Sequence, residues 1–209
     1  MEKLIGANKS LQEQIEVLEK ILLQNEKLKE VLTRLQKTSI KNYSYYIGAG
    51  AINQTVFNYY HDYSLDYGIK DFDIVYFDSD ISYEAEDKII KEVKEVLKDI
   101  DIEFDIKNEA RVHLWYNEKY QTKRKPYESV EDAISSWGAT ITCIGVKMEN
   151  NHLNVFAPYG LNDIFNMIIR PVKIDFTKEQ YEERARRWKK KWPMLKILSW
   201  NMTENSIKK

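Results

Sequence analysis

Two aspartates that flank a single residue are the side chains in this sequence best placed to do chemistry. Asp71 and Asp73 stand at the entry of the apolar run FDIVYF, residues 72–77, which predicts a β-strand. Residues i and i+2 of a strand point to the same face and lie roughly 6.6 Å apart along it. Two carboxylates this close repel each other unless a cation lies between them, and Mg²⁺ accepts such oxygen ligands. The pair therefore predicts a divalent metal site.

A glycine turn just upstream predicts a phosphate site. Gly48, Ala49 and Gly50 separate a predicted strand (43–47) from a predicted helix (51–60), and glycine lets the backbone come close to a ligand. The first N–H groups of a helix lack intrahelical partners and form the positive end of its dipole, which suits a phosphate. A phosphate site beside a metal-binding pair predicts chemistry on a nucleoside triphosphate (NTP).

Each of these motifs alone has a simpler explanation. An Asp-x-Asp at the start of a strand is usually solvated polarity at a loop edge. The turn is not a Walker loop, because no Gly-Lys-Ser/Thr follows it. It is not a dinucleotide fingerprint either, because Asn53 stands where a third glycine is required. The prediction therefore depends on both motifs occurring together and in this order.

Together the two motifs resemble a known superfamily. A small-residue turn, a helix and an Asp-x-Asp at a strand start form the signature of the polymerase-β-like nucleotidyltransferases. Here AGAI (49–52) followed by DFDI (71–74) resembles the head domain of CCA-adding enzymes. Four further blocks resemble a bacterial nucleotidyltransferase family formerly known only as a domain of unknown function: KNEARVHLWY (107–116), PYESVEDAISSW (126–137), APYGLNDIFNMIIRP (157–171) and RWKKKWP (187–193). The resemblance covers nearly the whole chain beyond about residue 20, and it is specific for the family rather than for the substrate.

The resemblance implies a third carboxylate on a neighbouring strand. Residues 102–106 alternate between apolar and acidic side chains, which predicts a half-buried strand. Asp105 occupies the matching place just before the block 107–116, and Glu103 is the reserve candidate. Without the resemblance, these acids would be interpreted as the solvated face of the strand.

The resemblance also implies a reaction. A nucleoside monophosphate would be transferred from an NTP to an acceptor, with release of pyrophosphate. Asp71, Asp73 and Asp105 would be the catalytic and metal-binding residues, holding two Mg²⁺ or Mn²⁺ ions in a two-metal mechanism. The backbone from Gly48 to Ala51 would bind phosphate. The expected partners are an NTP and an unidentified acceptor, which is a small molecule, a protein or RNA.

Three further residues are candidates for binding the nucleotide. Residues 111–116 alternate and predict a strand with Arg111 and His113 on one side. Arg111 either holds a triphosphate or forms an exposed ion pair, and His113 either positions the nucleotide or is structural. Asn53 is the third candidate, although CCA-adding enzymes usually carry an arginine at this position.

Two basic stretches have alternative interpretations. The loop TKRKP, residues 122–126, either faces solvent or contacts a substrate phosphate. Thr177 and Gln180 form a capping box that opens a helix to about Trp192, acidic at its start and basic at its end. That polarity suits the helix dipole. Basic residues beside tryptophans could instead bind a nucleic-acid backbone, with Arg186, Arg187 and 189–191 as the contacts, but the dipole explanation is favoured.

The elements that must position these residues predict an α+β fold. The resemblance implies the polymerase-β-like nucleotidyltransferase fold, with a short twisted mixed sheet backed by helices and extra helices at both ends. We predict an N-terminal helical extension (1–40), a nucleotidyltransferase domain (41–175) and a C-terminal basic helix and tail (176–209). The extension reads as two helices or one bent helix over about 10–37, which packs on the catalytic domain or mediates dimerisation.

Other elements are predicted as scaffold. An amphipathic helix begins at Ser82. A short helix is expected at 131–137, and a hairpin pairs 140–147 with 153–156. A helix that begins near Asp163 is expected to end at Arg170, and in the family interpretation these two residues support the site or a neighbouring cleft.

Composition limits the classes of protein to consider. The 209 residues are 43% hydrophobic and 31% charged, which is ordinary for a globular chain. The 32 basic and 33 acidic residues leave a net charge of −1, whereas a dedicated nucleic-acid binder usually has a basic excess. One cysteine, Cys143, excludes an intrachain disulfide framework and fits a reducing compartment. We expect a cytoplasmic protein without a membrane segment, as a monomer or a homodimer.

Two other functions remain open at this stage. One is a nucleotide-binding or interaction module with weak or no catalysis, which would use Arg111 and the C-terminal basic helix. The other is an enzyme directed at tRNA or another RNA, although the long tRNA-binding helical domains of CCA-adding enzymes are missing here.

Overall fold

The computed structural model describes residues 2–120 and 124–202. Its helices are α1 (Leu11–Leu22), α2 (Glu26–Leu35), α3 (Gly50–His61), α4 (Tyr83–Leu97), α5 (Val112–Tyr120), α6 (Val130–Ser135), α7 (Asn162–Phe165) and α8 (Lys178–Lys191). Its strands are β1 (Ser44–Gly48), β2 (Asp71–Phe77), β3 (Glu103–Asn108), β4 (Gly145–Glu149), β5 (His152–Phe156), β6 (Ile168–Ile169) and β7 (Lys196–Ile197). Short 3₁₀ helices occupy Ser39–Asn42 and Glu109–Arg111.

Five of the strands form one mixed sheet in the order β3-β2-β1-β4-β5. β1 runs antiparallel to both β2 and β4, and β4 forms a hairpin with β5. β2 and β3 are parallel, so the chain must cross over between them, and α4 makes that crossover. The α+β class and the mixed sheet backed by helices are therefore confirmed.

The two N-terminal helices pack against the same core as the sheet. Ser10 and Glu13 form a capping box at the start of α1. Asn25 separates the two helices, because its side chain caps α2 and also donates a hydrogen bond to Thr55 at 3.0 Å. Most of the apolar stripe of each helix is buried, with Leu18 and Leu28 fully so, whereas Leu11 at the start of α1 is exposed. The stretch thus forms two helices rather than one bent helix.

The predicted strand over 111–116 is wrong. After β3, the side chain of Asn108 accepts a hydrogen bond from the backbone N–H of Ala110 at 3.1 Å, which starts a helical turn. The 3₁₀ turn then leads directly into α5. Alternating apolar and polar residues over so short a run do not distinguish a strand from a helix, and the cap at Asn108 decides the matter.

Two other predicted boundaries differ from the structure. β4 begins at Gly145 instead of residue 140, because Thr142 closes a turn by donating its hydroxyl to the carbonyl of Ala139 at 2.7 Å. The helix expected to end at Arg170 stops at Phe165, since Met167 has a positive φ of 58° that breaks the helical path. Within the described ranges, every helix is too short or too polar to cross a membrane.

Candidate active site

The parallel pairing of β2 and β3 brings the predicted carboxylates together. Asp73 lies opposite Asp105, and Asp71 lies opposite Glu103. Neighbouring strands are separated by about 4.8 Å, and residues in register on parallel strands point to the same face. Asp71, Asp73 and Asp105 therefore occupy adjacent positions on one face of the sheet, as the sequence predicts.

The environment of Asp73 is unfavourable for a negative charge. Burial is the main cause that raises the pKa of Asp73 to about 7, and the carboxylates of Asp105 and Asp71 act in the same direction. The Lys107 ammonium opposes them. A divalent cation at this point would reverse the balance, because a nearby positive charge stabilises the ionised carboxylate.

The third carboxylate has a different partner. Asp105 forms an ion pair with Lys107 two residues further along β3. Among the described residues, no group of three or more His, Cys, Asp or Glu side chains is arranged to hold a metal ion. Mg²⁺ is usually held by one or two carboxylates together with substrate phosphates, so Asp71 and Asp73 suit an ion that arrives bound to an NTP.

A cleft of about 660 Å³ opens over this part of the sheet. Asp71 and Asp73 line it at one side, and the start of α3 and one face of α8 line it elsewhere. Its volume is in the range of small-molecule and cofactor sites. Six basic residues also line the cleft: Lys70, Lys107, Arg124, Arg184, Arg187 and Lys191.

The glycine turn contributes only part of what the sequence predicts. Ala49, with φ 47° and ψ −122°, turns the chain so that α3 begins at Gly50, and both residues line the cleft. Gly48 instead packs tightly against the indole of Trp137. A Cβ added at this position would lie 2.6 Å from a ring carbon. Ala51 is fully buried. Ala49 and Gly50 are thus the turn residues available to a ligand.

The three nucleotide-binding candidates outside the turn do not line the cleft. Asn53 is fully buried, and its side chain donates a hydrogen bond to the carbonyl of Ile141 at 3.4 Å. Arg111 pairs with Glu86 of α4 and donates to the carbonyl of Ile81 at 3.0 Å. His113 lies on α5 instead of a strand. Their positions favour structural roles.

The basic loop reaches the cleft through Arg124. Its guanidinium pairs with Asp175 at 2.6 Å and lies over the rings of Tyr116 (4.1 Å) and Tyr127 (5.0 Å). Thr122 and Lys123, which belong to the same predicted loop, lie outside the described residues. Arg124 therefore lines the cleft in a position held by these contacts.

Asp163 and Arg170 form a structural pair outside the cleft. Two guanidinium nitrogens of Arg170 donate to Asp163, at 2.7 and 2.9 Å. The hydroxyl of Thr140 donates to the same carboxylate at 2.7 Å. This network links the segment around α7 to the turn before β4, and it explains both residues without a catalytic role.

Sequence reasoning missed several residues of the cleft. Glu109 is 4% exposed yet lines the cleft, and burial raises the pKa of its carboxyl to about 7. Lys107 lies in the block 107–116, whose pattern gives it no role. Nothing in the local pattern marks either residue. Arg184, Arg187 and Lys191 are spaced at i, i+3 and i+7, a helical stripe that the sequence does contain.

Comparisons with known proteins identify the family and the fold. The sequence profile of a protein family described as nucleotidyltransferase matches residues 33–197. Among curated proteins, none has significant similarity to the chain. One solved structure, an NMR structure described as revealing a CCA-adding enzyme head domain, superimposes with a TM-score of 0.69 and 22% sequence identity. The alignment covers 88% of this chain and 95% of that one, and at this identity it establishes the fold.

Proposed function

Because the chain belongs to the nucleotidyltransferase family, we propose that it transfers a nucleoside monophosphate from an NTP to an acceptor and releases pyrophosphate. The observation that carries the proposal is the arrangement of the cleft. Asp71 and Asp73 line it together with Ala49 and Gly50 at the start of α3. A carboxylate pair and a helix N-terminus in one cleft suit a triphosphate with its divalent cation.

In this proposal the turn and the carboxylates position the NTP. The backbone N–H groups at the start of α3 hold phosphate oxygens, aided by the positive end of the helix dipole. Asp71 and Asp73 would hold a divalent cation, and such an ion would supply charge neutralisation at the triphosphate and a lowered pKa of the attacking group. Because Asp73 is partly buried, the effective dielectric constant around it is lower than in water. Its attraction to a positive charge is therefore stronger.

The chemical step then needs little covalent work from the protein. An oxygen or nitrogen nucleophile of the acceptor forms a bond to the α-phosphorus. The bond from that phosphorus to the bridging oxygen breaks, and pyrophosphate leaves with both electrons of that bond. Asp105 lies beside Asp73 on the neighbouring strand and accepts the proton of the nucleophile after its ion pair with Lys107 has opened. The remaining contribution is positioning and charge stabilisation.

A second candidate function is nucleotide binding with weak or no catalysis. The ion pair between Asp105 and Lys107 favours it, because that pair neutralises the third carboxylate without a metal. In such a protein Lys107 would replace one cation permanently, and the cleft would bind an NTP without transferring its nucleotide.

Labelling of cell extracts with each α-³²P NTP distinguishes the two functions. For an active transferase, the wild-type protein places label on an acceptor and releases an equal amount of pyrophosphate, and Asp73→Asn does neither. Asp101→Asn is the matched control, because Asp101 is exposed in the loop before β3. Labelling that persists in Asp73→Asn would contradict the proposed site. Binding of an NTP without labelling by any of the four would support the second function.

A further inference from the structure

The six basic residues of α8 at positions 184–191 lie on two faces of the helix. Arg184, Arg187 and Lys191 line the cleft, and their spacing of i, i+3 and i+7 places them on one side of the helix. Arg186, Lys189 and Lys190 are exposed and do not line it. The helix dipole explains why the end of α8 is basic. It does not explain why three of these six residues line the same cleft as the carboxylates of β2.

Arg184 is held in place by aromatic rings. Its guanidinium lies 4.6 Å from the ring centre of Phe176 and 5.8 Å from that of Trp188. Burial and the neighbouring Arg187 lower the pKa of Arg184, and the Asp73 carboxylate acts in the opposite direction. A positive group is thus fixed within electrostatic range of Asp73 while it is partly removed from water.

Arg184 and Arg187 differ from the other arginines of the chain in their partners. Arg34, Arg111, Arg124, Arg170 and Arg186 each pair with a carboxylate. Within residues 2–120 and 124–202, neither Arg184 nor Arg187 forms such an ion pair. The guanidinium of Arg184 is partly buried without a carboxylate in an ion pair, which is unfavourable, so an anion bound in the cleft would stabilise it.

We propose that Arg184, Arg187 and Lys191 bind the β- and γ-phosphates of the NTP, and therefore the pyrophosphate that leaves. The proposal rests on the proposed function for the identity of the substrate. The planar fork of arginine donates two parallel hydrogen bonds to phosphate oxygens, and its rigidity limits the entropy lost on binding. The α-phosphate then lies between this stripe and the carboxylates of β2. The C-terminal helix thereby becomes part of the substrate site instead of an RNA-binding appendage.

Calorimetric titration with inorganic pyrophosphate and Mg²⁺ tests the stripe without an acceptor. Arg187→Gln should weaken pyrophosphate binding roughly tenfold or more, because it removes charge-assisted hydrogen bonds. Arg186→Gln, one position away on the exposed face, should change it by less than about twofold. Arg184→Gln should resemble Arg187→Gln. Arg184 packs on aromatic rings, so its variant could fail to fold. In that case the variant of the exposed Arg187 decides the test.

Equal losses in Arg186→Gln and Arg187→Gln, or no loss in Arg187→Gln, would overturn the proposal. A titration with a single-stranded RNA of about 10 nucleotides tests the alternative that these residues bind nucleic acid. If Arg187→Gln weakens RNA binding and leaves pyrophosphate binding unchanged, the stripe contacts a nucleic-acid backbone and the proposal fails. The proposed function can fail separately. If the protein labels no acceptor but its pyrophosphate binding still depends on Arg187, the proposed reaction is refuted and the phosphate-binding role of α8 is supported.

Discussion

The floor and the wall of the cleft carry opposite charges and are built in different ways. The floor, Asp71 and Asp73 on β2, is fixed by the two-residue period of a strand and by the parallel register with β3. The wall, Arg184 and Arg187 on α8, depends on where a helix distant in sequence lies relative to β2. A local motif therefore reveals the floor, whereas the wall becomes visible only when the helix is placed.

The two regions also differ in how their charges are compensated. On the floor, burial and the neighbouring carboxylates raise the pKa of Asp73 although Lys107 opposes them, so a further cation would stabilise its ionised form. On the wall, two arginines have no carboxylate partner in the described parts of the chain. A magnesium-bound triphosphate would supply a cation to the floor and anions to the wall. This complementarity is the physical basis of the proposed substrate.

The largest effect is expected from neutralising the floor. Asp73→Asn should lower nucleotidyl transfer at least about 100-fold, because it removes charge stabilisation at the reacting phosphate. The same change should raise the melting temperature of the metal-free protein at pH 8, since an ionised, partly buried carboxylate is replaced by a neutral amide. Both are measured on one preparation, by a transfer assay and by a thermal melt. A variant that is less active and less stable at pH 8 would point to misfolding instead.

A smaller effect should separate the two acids of β3. Asp105→Asn is expected to lower transfer roughly 100-fold by removing a proton acceptor, at the lower end of the 10²–10⁴-fold typical of such groups. Glu103→Gln should change transfer by less than about twofold, because Glu103 is exposed and lies opposite Asp71, whereas the less exposed Asp105 lies opposite Asp73. Steady-state rates of both variants decide the order. Equal losses in the two variants would reinstate Glu103 as the third carboxylate.

The turn at the start of α3 offers a comparison of stability. Gly48→Ala should destabilise the protein by about 1–3 kcal/mol, because the added Cβ would lie 2.6 Å from the packed indole of Trp137. Gly50→Ala should cost less, since its Cβ would meet only the movable end of Gln54 at 2.7 Å. Chemical denaturation measures both free energies of unfolding. The reverse order would show that Gly50 is the tightly packed position.

Glu109 should give the protein a measurable pH dependence. Its pKa is raised from 4.5 to about 7 in the folded state, so the folded protein binds more protons than the unfolded chain between these values. The free energy of unfolding should therefore fall as pH rises through this window, by about 3 kcal/mol from this group, and level off above pH 7. Denaturation of Glu109→Gln at pH 5 and pH 8 should show a smaller difference than the wild type. Glu128→Gln, an exposed control, should retain the wild-type difference.

Particular residues show how far the sequence determines this account. The capping boxes at Ser10 and Thr177 and the strands β2 and β3 follow from local patterns, and all four are found. The segment after Asn108 does not, because a short alternating run fits a helix as well as a strand, and a side-chain cap selects the helix. The burial of Glu109 and the pairing of Lys107 with Asp105 are tertiary properties without a local signature. The roles given to the residues of the cleft stay predictions.

Thermal stabilisation by each NTP, with and without Mg²⁺, tests the central claim most directly. We predict that at least one NTP raises the melting temperature by several degrees in the presence of Mg²⁺, and that Asp71→Ala abolishes this shift while Glu103→Gln preserves it. A shift of equal size without Mg²⁺, or one that survives in Asp71→Ala, would contradict a triphosphate held between the carboxylates of β2 and the arginines of α8.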